Sequence, residues 1–384
     1  MSRYVCSECG SVFPVEPFLY LCPECSRHQK EGEPLRGVLL TQPDGEQLGK
    51  FERTKDPHEL LPVERDYLPD IPVGNTPLFR SENLSKYTGF QNLYIKNDTL
   101  NPTGSLKDRA SYLVSGFAKK MGIEEIALAS TGNAASSMAG IGACAGQRIT
   151  IFIPRDVPEA KLVQCRHFGA SIKVVDGDYD RAYSIALDYA QKNRALSRNT
   201  ALNPLTIDGK KTVSIEIFLQ MGRMPENVFV PVGDGVIIAG VYRGFEDVVN
   251  AGLARKIPKI FGVQADGSDG VCRIFESGVF EYREPSTVAD SISVGIPRNG
   301  YLAARFLKRY MGECIRVSDE DILRAQVLLS QNTGVFSEPA GAASLAGFLK
   351  VKERIPKHES VVLLITGAGL KDIKSAIMAL ERFG

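Results

Sequence analysis

The chain has 384 residues, enough for two or three domains of ordinary size. Lys and Arg number 46 against 45 Asp and Glu, a formal net charge of +1, which removes the main electrostatic case for nucleic acid or an anionic membrane as partner. Hydrophobic residues make up 43% and charged residues 24%, no run of about 18 apolar residues occurs, and the N-terminus lacks the apolar run of a signal peptide, so a water-soluble, cytoplasmic protein with a sizeable core is expected.

In chain order, the first feature is the set Cys6, Cys9, Cys22 and Cys25, spaced C-x2-C-x12-C-x2-C. Each C-x-x-C bends the chain so that two thiolates face one point, and four thiolates complete a tetrahedron. That predicts a structural zinc with no open position, in a ribbon over residues 1–35. Two disulfides are the competing reading, and without a secretion signal they are disfavoured. Residues 36–75 are polar and Pro-containing, and read as a linker and lead-in. From about residue 90, short β-branched runs alternate with helical stretches. Strands are expected at Asn92–Lys96, Glu125–Ala129, Arg148–Pro154, Ser171–Val175, Asn227–Val232, Lys259–Gln264 and Ser360–Ile365. Most are continuous apolar runs, which suits strands covered on both faces. Between them, Lys107–Met121 places Ala110, Leu113, Val114, Phe117, Ala118 and Met121 on one helical stripe. Ser318 followed by Asp321 resembles a capping box. The repeated alternation predicts an α/β architecture with mostly parallel sheets. The remaining Cys144, Cys165, Cys272 and Cys314 read as small core residues, Cys144 because its helical stretch is rich in Ala and Gly. The only His are His28, His58, His167 and His358, too few for most multi-His sites.

Four stretches carry candidate chemistry. In Asn101-Pro-Thr-Gly-Ser-Leu-Lys107-Asp-Arg109, a turn leads into a helix with Lys107 in its first turn. The helix dipole there lowers the amine's pKa, which helps an amine that must attack a carbonyl; a solvated surface Lys is the alternative. Ser130-Thr131-Gly132-Asn133 joins a strand to a helix and offers hydroxyl and backbone donors for a carboxylate, or plain N-capping. Gly233-Asp234-Gly235-Val236-Ile237 follows a strand and opens a helix. It lacks the third glycine of a dinucleotide fingerprint and the Lys of a P-loop, so a phosphate smaller than a nucleotide's fits better. Asp234 should turn its side chain away from such an anion. An ordinary glycine turn explains the stretch equally well. Last, a buried strand ends at Thr366-Gly-Ala-Gly369.

Together, and in this order, these stretches resemble the type II fold of pyridoxal-phosphate enzymes over roughly residues 75–370. With Phe336-Ser-Glu-Pro-Ala-Gly341 and the four-Cys ribbon, the chain is similar to the zinc-bearing form of the threonine synthase family. The resemblance implies a two-domain body behind the ribbon: a large domain from 36–98 and 201–384, and a smaller substrate-side domain from 99–200. It implies that Lys107 forms a Schiff base with the cofactor aldehyde. Ser130, Thr131, Gly132 and Asn133 would hold the substrate carboxylate, and Asn133 would also reach the cofactor's ring oxygen. Gly233, Asp234, Gly235, Val236 and Ile237 would cradle the cofactor phosphate, and Thr366 would face the pyridine nitrogen. A neutral hydroxyl there leaves the ring a weaker electron sink, which suits chemistry that expels a group from Cβ or Cγ.

The implied reaction turns O-phosphohomoserine and water into threonine and phosphate, with Lys107 moving protons at Cα, Cβ and Cγ. A homodimer, an amino-acid substrate, and no nucleic-acid or membrane partner complete the expectation. The sequence departs from the family where a second anion pocket is needed: Thr206 stands where an Arg is expected. The phosphate loop reads Gly233-Asp-Gly235, and Ser291–Asn299 differs as well. Lys210, Lys211, Arg298 or Arg181 could supply replacement charge. The alternatives within the same chemistry are a serine/threonine dehydratase and a β-replacement enzyme of the cysteate-synthase kind. A zinc-ribbon binding module is the remote one, since residues 1–35 show no basic face.

Overall fold

The computed structural model describes residues 2–155, 157 and 159–384. In chain order the strands are β1 (Arg3–Cys6), β2 (Val12–Pro14), β3 (Leu39–Gln42), β4 (Leu78–Arg80), β5 (Leu93–Asn97), β6 (Glu125–Ala129), β7 (Arg148–Pro154), β8 (Ser171–Val175), β9 (Leu196–Ser197), β10 (Asn227–Pro231), β11 (Lys259–Ala265), β12 (Glu313–Val317) and β13 (Val361–Ile365). The chain divides into two compact units, each built from separate segments. Met1–His28, Arg36–Gly74 and Asn101–Thr212 form the first; Gln29–Leu35, Asn75–Leu100 and Val213–Gly384 form the second.

The first unit contains an antiparallel sheet ordered β2-β1-β3 and a parallel sheet ordered β8-β7-β6-β9. Strand β3 lies in the stretch expected as a linker, and so does a helix, Gly45–Thr54. That helix buries only Phe51, so it lacks the apolar stripe that periodicity detects. Its start is marked by a capping box between Asp44 and Gln47. The helices Lys107–Lys120 and Asn133–Ala145 pack on each other. Leu113, Val114 and Phe117 of the first and Met138 and Ile141 of the second bury against Ile126, Leu128 and Ile151 of the sheet. Full burial of each such large apolar side chain favours folding by roughly 1.5–3 kcal/mol.

The second unit carries a six-stranded sheet ordered β12-β11-β10-β13-β5-β4, parallel except where β4 runs antiparallel to β5. Strands β10 and β13 are buried along their whole length, as their unbroken apolar sequences require. Phe229 stacks on Phe261 with ring centroids 4.4 Å apart, and Phe348 meets Phe229 edge-on. Strand β5 breaks the apolar rule: Lys96 is completely buried. Its ammonium donates to the Thr76 carbonyl (2.7 Å), Glu216 (2.6 Å) and Gln220 (2.9 Å), so all three donors are used. The helix Asp319–Thr333 starts with the expected Ser318–Asp321 capping box.

Two cysteine expectations are corrected. Cys272 and Cys314 are joined in a disulfide between the helix Gly270–Ser277 and β12, rather than packing as thiols. Cys144 is exposed, with its thiol donating to the Asp70 carbonyl at 3.5 Å, because it lies on the outer face of its helix near the C-terminus. Among the described residues, no helix is long and apolar enough to cross a membrane.

Candidate active site

In each unit, the candidate residues gather at the C-terminal ends of neighbouring parallel strands, the end where open α/β sheets bind ligands. In the first unit these strands are β6 and β9; in the second they are β10 and β13.

Half-buried Lys107 is the first residue of its helix. The turn before it is held from both sides. Gly104 adopts a left-handed φ of +84° and donates to the Asn101 carbonyl at 2.8 Å. The buried Asp108 carboxylate accepts from the Thr103 N–H (2.7 Å) and hydroxyl (2.6 Å). An anion in the first helical turn also suits the helix dipole, and it fixes the backbone that presents Lys107. Asn133 opens the second helix of the pair. Gly132 is its N-cap, and no side chain caps this end. Ser130 accepts from the Gly132 N–H at 3.3 Å, so the turn folds on itself rather than capping the helix. One turn into the two helices, the Ser137 hydroxyl donates to Ser111 at 2.7 Å. Ser111 lies four residues past Lys107 and Ser137 four past Asn133, so the two predicted turns sit at the same end of the pair.

Beside them, β9 runs into Arg198-Asn199-Thr200. Asn199 accepts from the Ala129 N–H at 2.7 Å and ties the end of β6 in place. Arg198 is completely buried; its Nε donates to Ser111 (3.2 Å) and one Nη to Thr200 (2.5 Å). Sequence reasoning missed both residues, because the two-residue β9 is too short to show a strand pattern.

The four proposed replacement cations are differently placed. Lys211 is buried and paired with Asp208 at 2.8 Å, and also donates to the Leu60 carbonyl. Lys210 is buried and donates to the Thr206 carbonyl at 2.7 Å. Arg181 is exposed in the first helical turn after Asp178. Thr206 itself is buried, its hydroxyl donating to the Asn203 carbonyl at 2.9 Å. Arg298 belongs to the second unit.

There, Gly233-Asp234-Gly235 links β10 to the helix Val236–Asn250. Gly235 has φ +86°, and a Cβ on it would stand 2.7 Å from the Asn299 carbonyl oxygen. A Cβ on Gly233 would stand 2.9 Å from the Ile292 Cα. No side chain caps this helix either. The Asp234 carboxylate accepts from the Arg298 N–H at 2.6 Å, so it is engaged with the neighbouring loop. Asn299 is completely buried against this turn, and neither its amide nitrogen nor its oxygen has a partner. Bare helical N–H groups, a spare buried amide and a turn with no room for side chains fit a phosphate.

Thr366 is buried at the end of β13. The Phe336–Gly341 motif buttresses it: Glu338 N–H and the Ser337 hydroxyl both donate to the Gly367 carbonyl, at 3.0 and 3.1 Å. Glu338 in turn accepts from Ser291 at 3.1 Å, which gives the divergent Ser291–Asn299 segment a place in the same cluster.

In the ribbon, the ligand atoms of Cys6, Cys9, Cys22 and Cys25 all lie within 4.8 Å of one another, and none of the four is in a disulfide. Gly37 makes this possible. Its φ is +68°, and a Cβ there would come within 3.0 Å of the Cβ atoms of both Cys22 and Cys25. Four sulfurs closing on one point fit zinc in a closed tetrahedron.

Residues 70–367 match the family described as Pyridoxal-phosphate dependent enzyme. The threonine synthase of Methanocaldococcus jannaschii is 34% identical, over 98% of this chain and 94% of that protein. The threonine synthase of Methanosarcina acetivorans is 32% identical, over 99% and 95%. Among solved structures, the processed form of threonine deaminase isoform 2 from Solanum lycopersicum superposes with a TM-score of 0.72 at 23% identity, covering 89% of this chain and 94% of that one.

Proposed function

The chain belongs to the pyridoxal-phosphate dependent enzymes and, among them, to the threonine synthase family, and from this we propose that it converts O-phosphohomoserine and water into threonine and phosphate. The observation that carries the reading is end-to-end similarity: 34% identity across 98% of the chain to a protein named threonine synthase. Pyridoxal phosphate, when bound, supplies an electron sink for charge developing at the substrate's Cα.

The protein's own groups do the rest. Lys107 would hold the cofactor through its aldehyde and, once released from it, would serve as the base that takes the Cα proton and returns protons further along the substrate. Its turn, clamped by Asp108, keeps the amine in one place during these transfers. Ser130, Thr131, Gly132 and Asn133 bind the substrate carboxylate. Gly233, Asp234, Gly235, Val236 and Ile237 bind the cofactor phosphate through backbone N–H groups, while the Asp234 carboxylate stays on Arg298. Thr366 would be the residue beside the cofactor's ring nitrogen, and its hydroxyl, carrying no charge, would favour elimination of a leaving group over racemisation.

Cys6, Cys9, Cys22 and Cys25 hold a structural zinc. Support comes from the four free thiols within 4.8 Å. A Cys22→Ser variant should lose its one equivalent of zinc, measured by atomic absorption, and melt lower than wild type. A cytoplasmic homodimer is the assembly the resemblance implies; sedimentation tests its stoichiometry. The function itself is tested by a substrate panel on cofactor-loaded protein. Threonine and phosphate released from O-phosphohomoserine support the reading; ammonia and a 2-oxo acid from threonine or serine would replace it with a dehydratase.

A further inference from the structure

We propose that Arg198, with Asn199 beside it, binds the substrate's departing phosphoryl group, supplying the charge that is missing where Thr206 replaces an arginine. The proposal rests on the threonine synthase reading, because it names the anion pocket that this substrate requires.

Among the described residues, Arg198 is one of the largest completely buried side chains. Nε is taken by Ser111 and one Nη by Thr200, but the other Nη has no hydrogen-bond partner. On the next residue, the Asn199 side-chain oxygen is taken by the Ala129 N–H, and its Nδ2 has no partner either. Two buried donors on consecutive residues, both without acceptors, is a costly arrangement that proteins seldom keep without a use. Neither group can accept, except through the oxygen already engaged, so the natural partner is an acceptor-rich anion.

Position narrows the anion. The pair sits at the C-terminal end of β9, next to the end of β6 that carries the Ser130–Asn133 turn. That turn is assigned to the substrate carboxylate, which leaves the phosphoryl group. Guanidinium forks are well matched to phosphate oxygens. Thr200, the next residue, is half-buried, and its hydroxyl accepts from the guanidinium.

The three candidate replacement cations in this unit are less suited. Lys211 is neutralised by Asp208, Lys210 is turned to the Thr206 carbonyl, and Arg181 is exposed. The carboxylate that acts most strongly on Arg198 is Asp108, which is already bonded twice to Thr103. Burial pulls the guanidinium down to about 10, which still leaves it cationic at neutral pH.

The test uses the full, cofactor-loaded protein and four forms: wild type, Arg198→Met, Arg198→Lys, and Arg198→Met combined with Thr206→Arg. KM and kcat for O-phosphohomoserine, competitive inhibition by inorganic phosphate, melting temperature and the cofactor's visible absorption are measured on each. Losing one charge-assisted contact predicts a KM rise of about 10–100-fold in Arg198→Met and a matching loss of phosphate inhibition, with cofactor absorption retained. Arg198→Lys keeps the charge without the fork and should fall between. Thr206→Arg should restore phosphate inhibition in the Met background, an outcome a purely structural role for Arg198 does not produce.

An unchanged KM and unchanged phosphate inhibition in Arg198→Met overturns the proposal. Should Arg198→Met not fold, a lowered melting temperature with unchanged KM and phosphate inhibition in Arg198→Lys overturns it equally. Failure of the wild type to make threonine sinks the functional reading instead; phosphate binding to wild type but not to Arg198→Met would still identify the pocket.

Discussion

Two turns of similar outline, each proposed to hold an anion, are built in different ways. Both Ser130–Asn133 after β6 and Gly233–Ile237 after β10 end a buried parallel strand, open a helix and leave its N-terminus without a side-chain cap. The first does so with hydroxyl and amide side chains that can adjust. The second does so with backbone alone, in a space where a single Cβ meets Asn299 or Ile292 at 2.7 or 2.9 Å. The difference suits their assignments. A substrate must enter and leave every turnover, and mobile side chains tolerate that. A cofactor phosphate stays, and a rigid backbone cradle holds it with little entropy to lose on binding.

Substitutions that exploit this contrast give graded outcomes. The largest effect is expected at the proposed Schiff-base residue. Lys107→Ala should lower kcat by about 10²–10⁴-fold or more, since it removes the proton carrier and the covalent tether together. Next comes the rigid turn. Gly235→Ala forces a side chain into a left-handed position, which costs about 1–2 kcal/mol before the clash with Asn299 is counted, and cofactor affinity read by absorbance titration should fall at least tenfold. On the adaptable turn, Thr131→Ala should raise KM by about tenfold or less through one lost hydrogen bond, with cofactor affinity unchanged. Equal effects of Gly235→Ala and Thr131→Ala on cofactor affinity would erase the distinction.

Away from both turns the expected effect is smallest. Burial acts to raise the Glu226 carboxyl, yet hydrogen bonds from Ser360 (N–H at 2.8 Å, and the hydroxyl) and from Arg223 hold it down to about 2. The native value lies below that of the unfolded chain, so the ionised form adds stability above about pH 4.3, and this is lost as pH falls towards 2. Glu226→Gln should therefore be less stable than wild type at pH 7, with the gap closing between pH 4 and 2, as followed by denaturation midpoints. A gap independent of pH would assign the effect to packing instead.

How much of this was legible beforehand follows from physical signal strength. Strands β6, β7 and β8 run over the residues expected from their apolar and β-branched content, β10, β11 and β13 differ from expectation by one residue at one end, and β5 is shifted by one residue at both. Strand β12 was missed, because as an edge strand paired only to β11 it needs just alternate burial and carries Glu313 and Arg316. The helix after β3 was missed for want of a stripe. The bond between Cys272 and Cys314 spans 42 residues of sequence and has no local signature. Within the candidate site, Lys107, Ser130–Asn133 and the glycine turn stood out because each couples a special residue type to a strand–helix junction. Arg198, Asn199 and Asn299 did not. Their distinction is burial with donors left over, and burial of a polar residue is a property of the fold rather than of the neighbouring sequence.

The account depends most on the amine at position 107. Reduction of the cofactor-loaded protein with borohydride, followed by proteolysis and mass spectrometry, reads it directly. One pyridoxyl-phosphate adduct, on the peptide containing Lys107 and absent from the Lys107→Ala protein, is the predicted result. An adduct on a different lysine, or none in wild type, would contradict it.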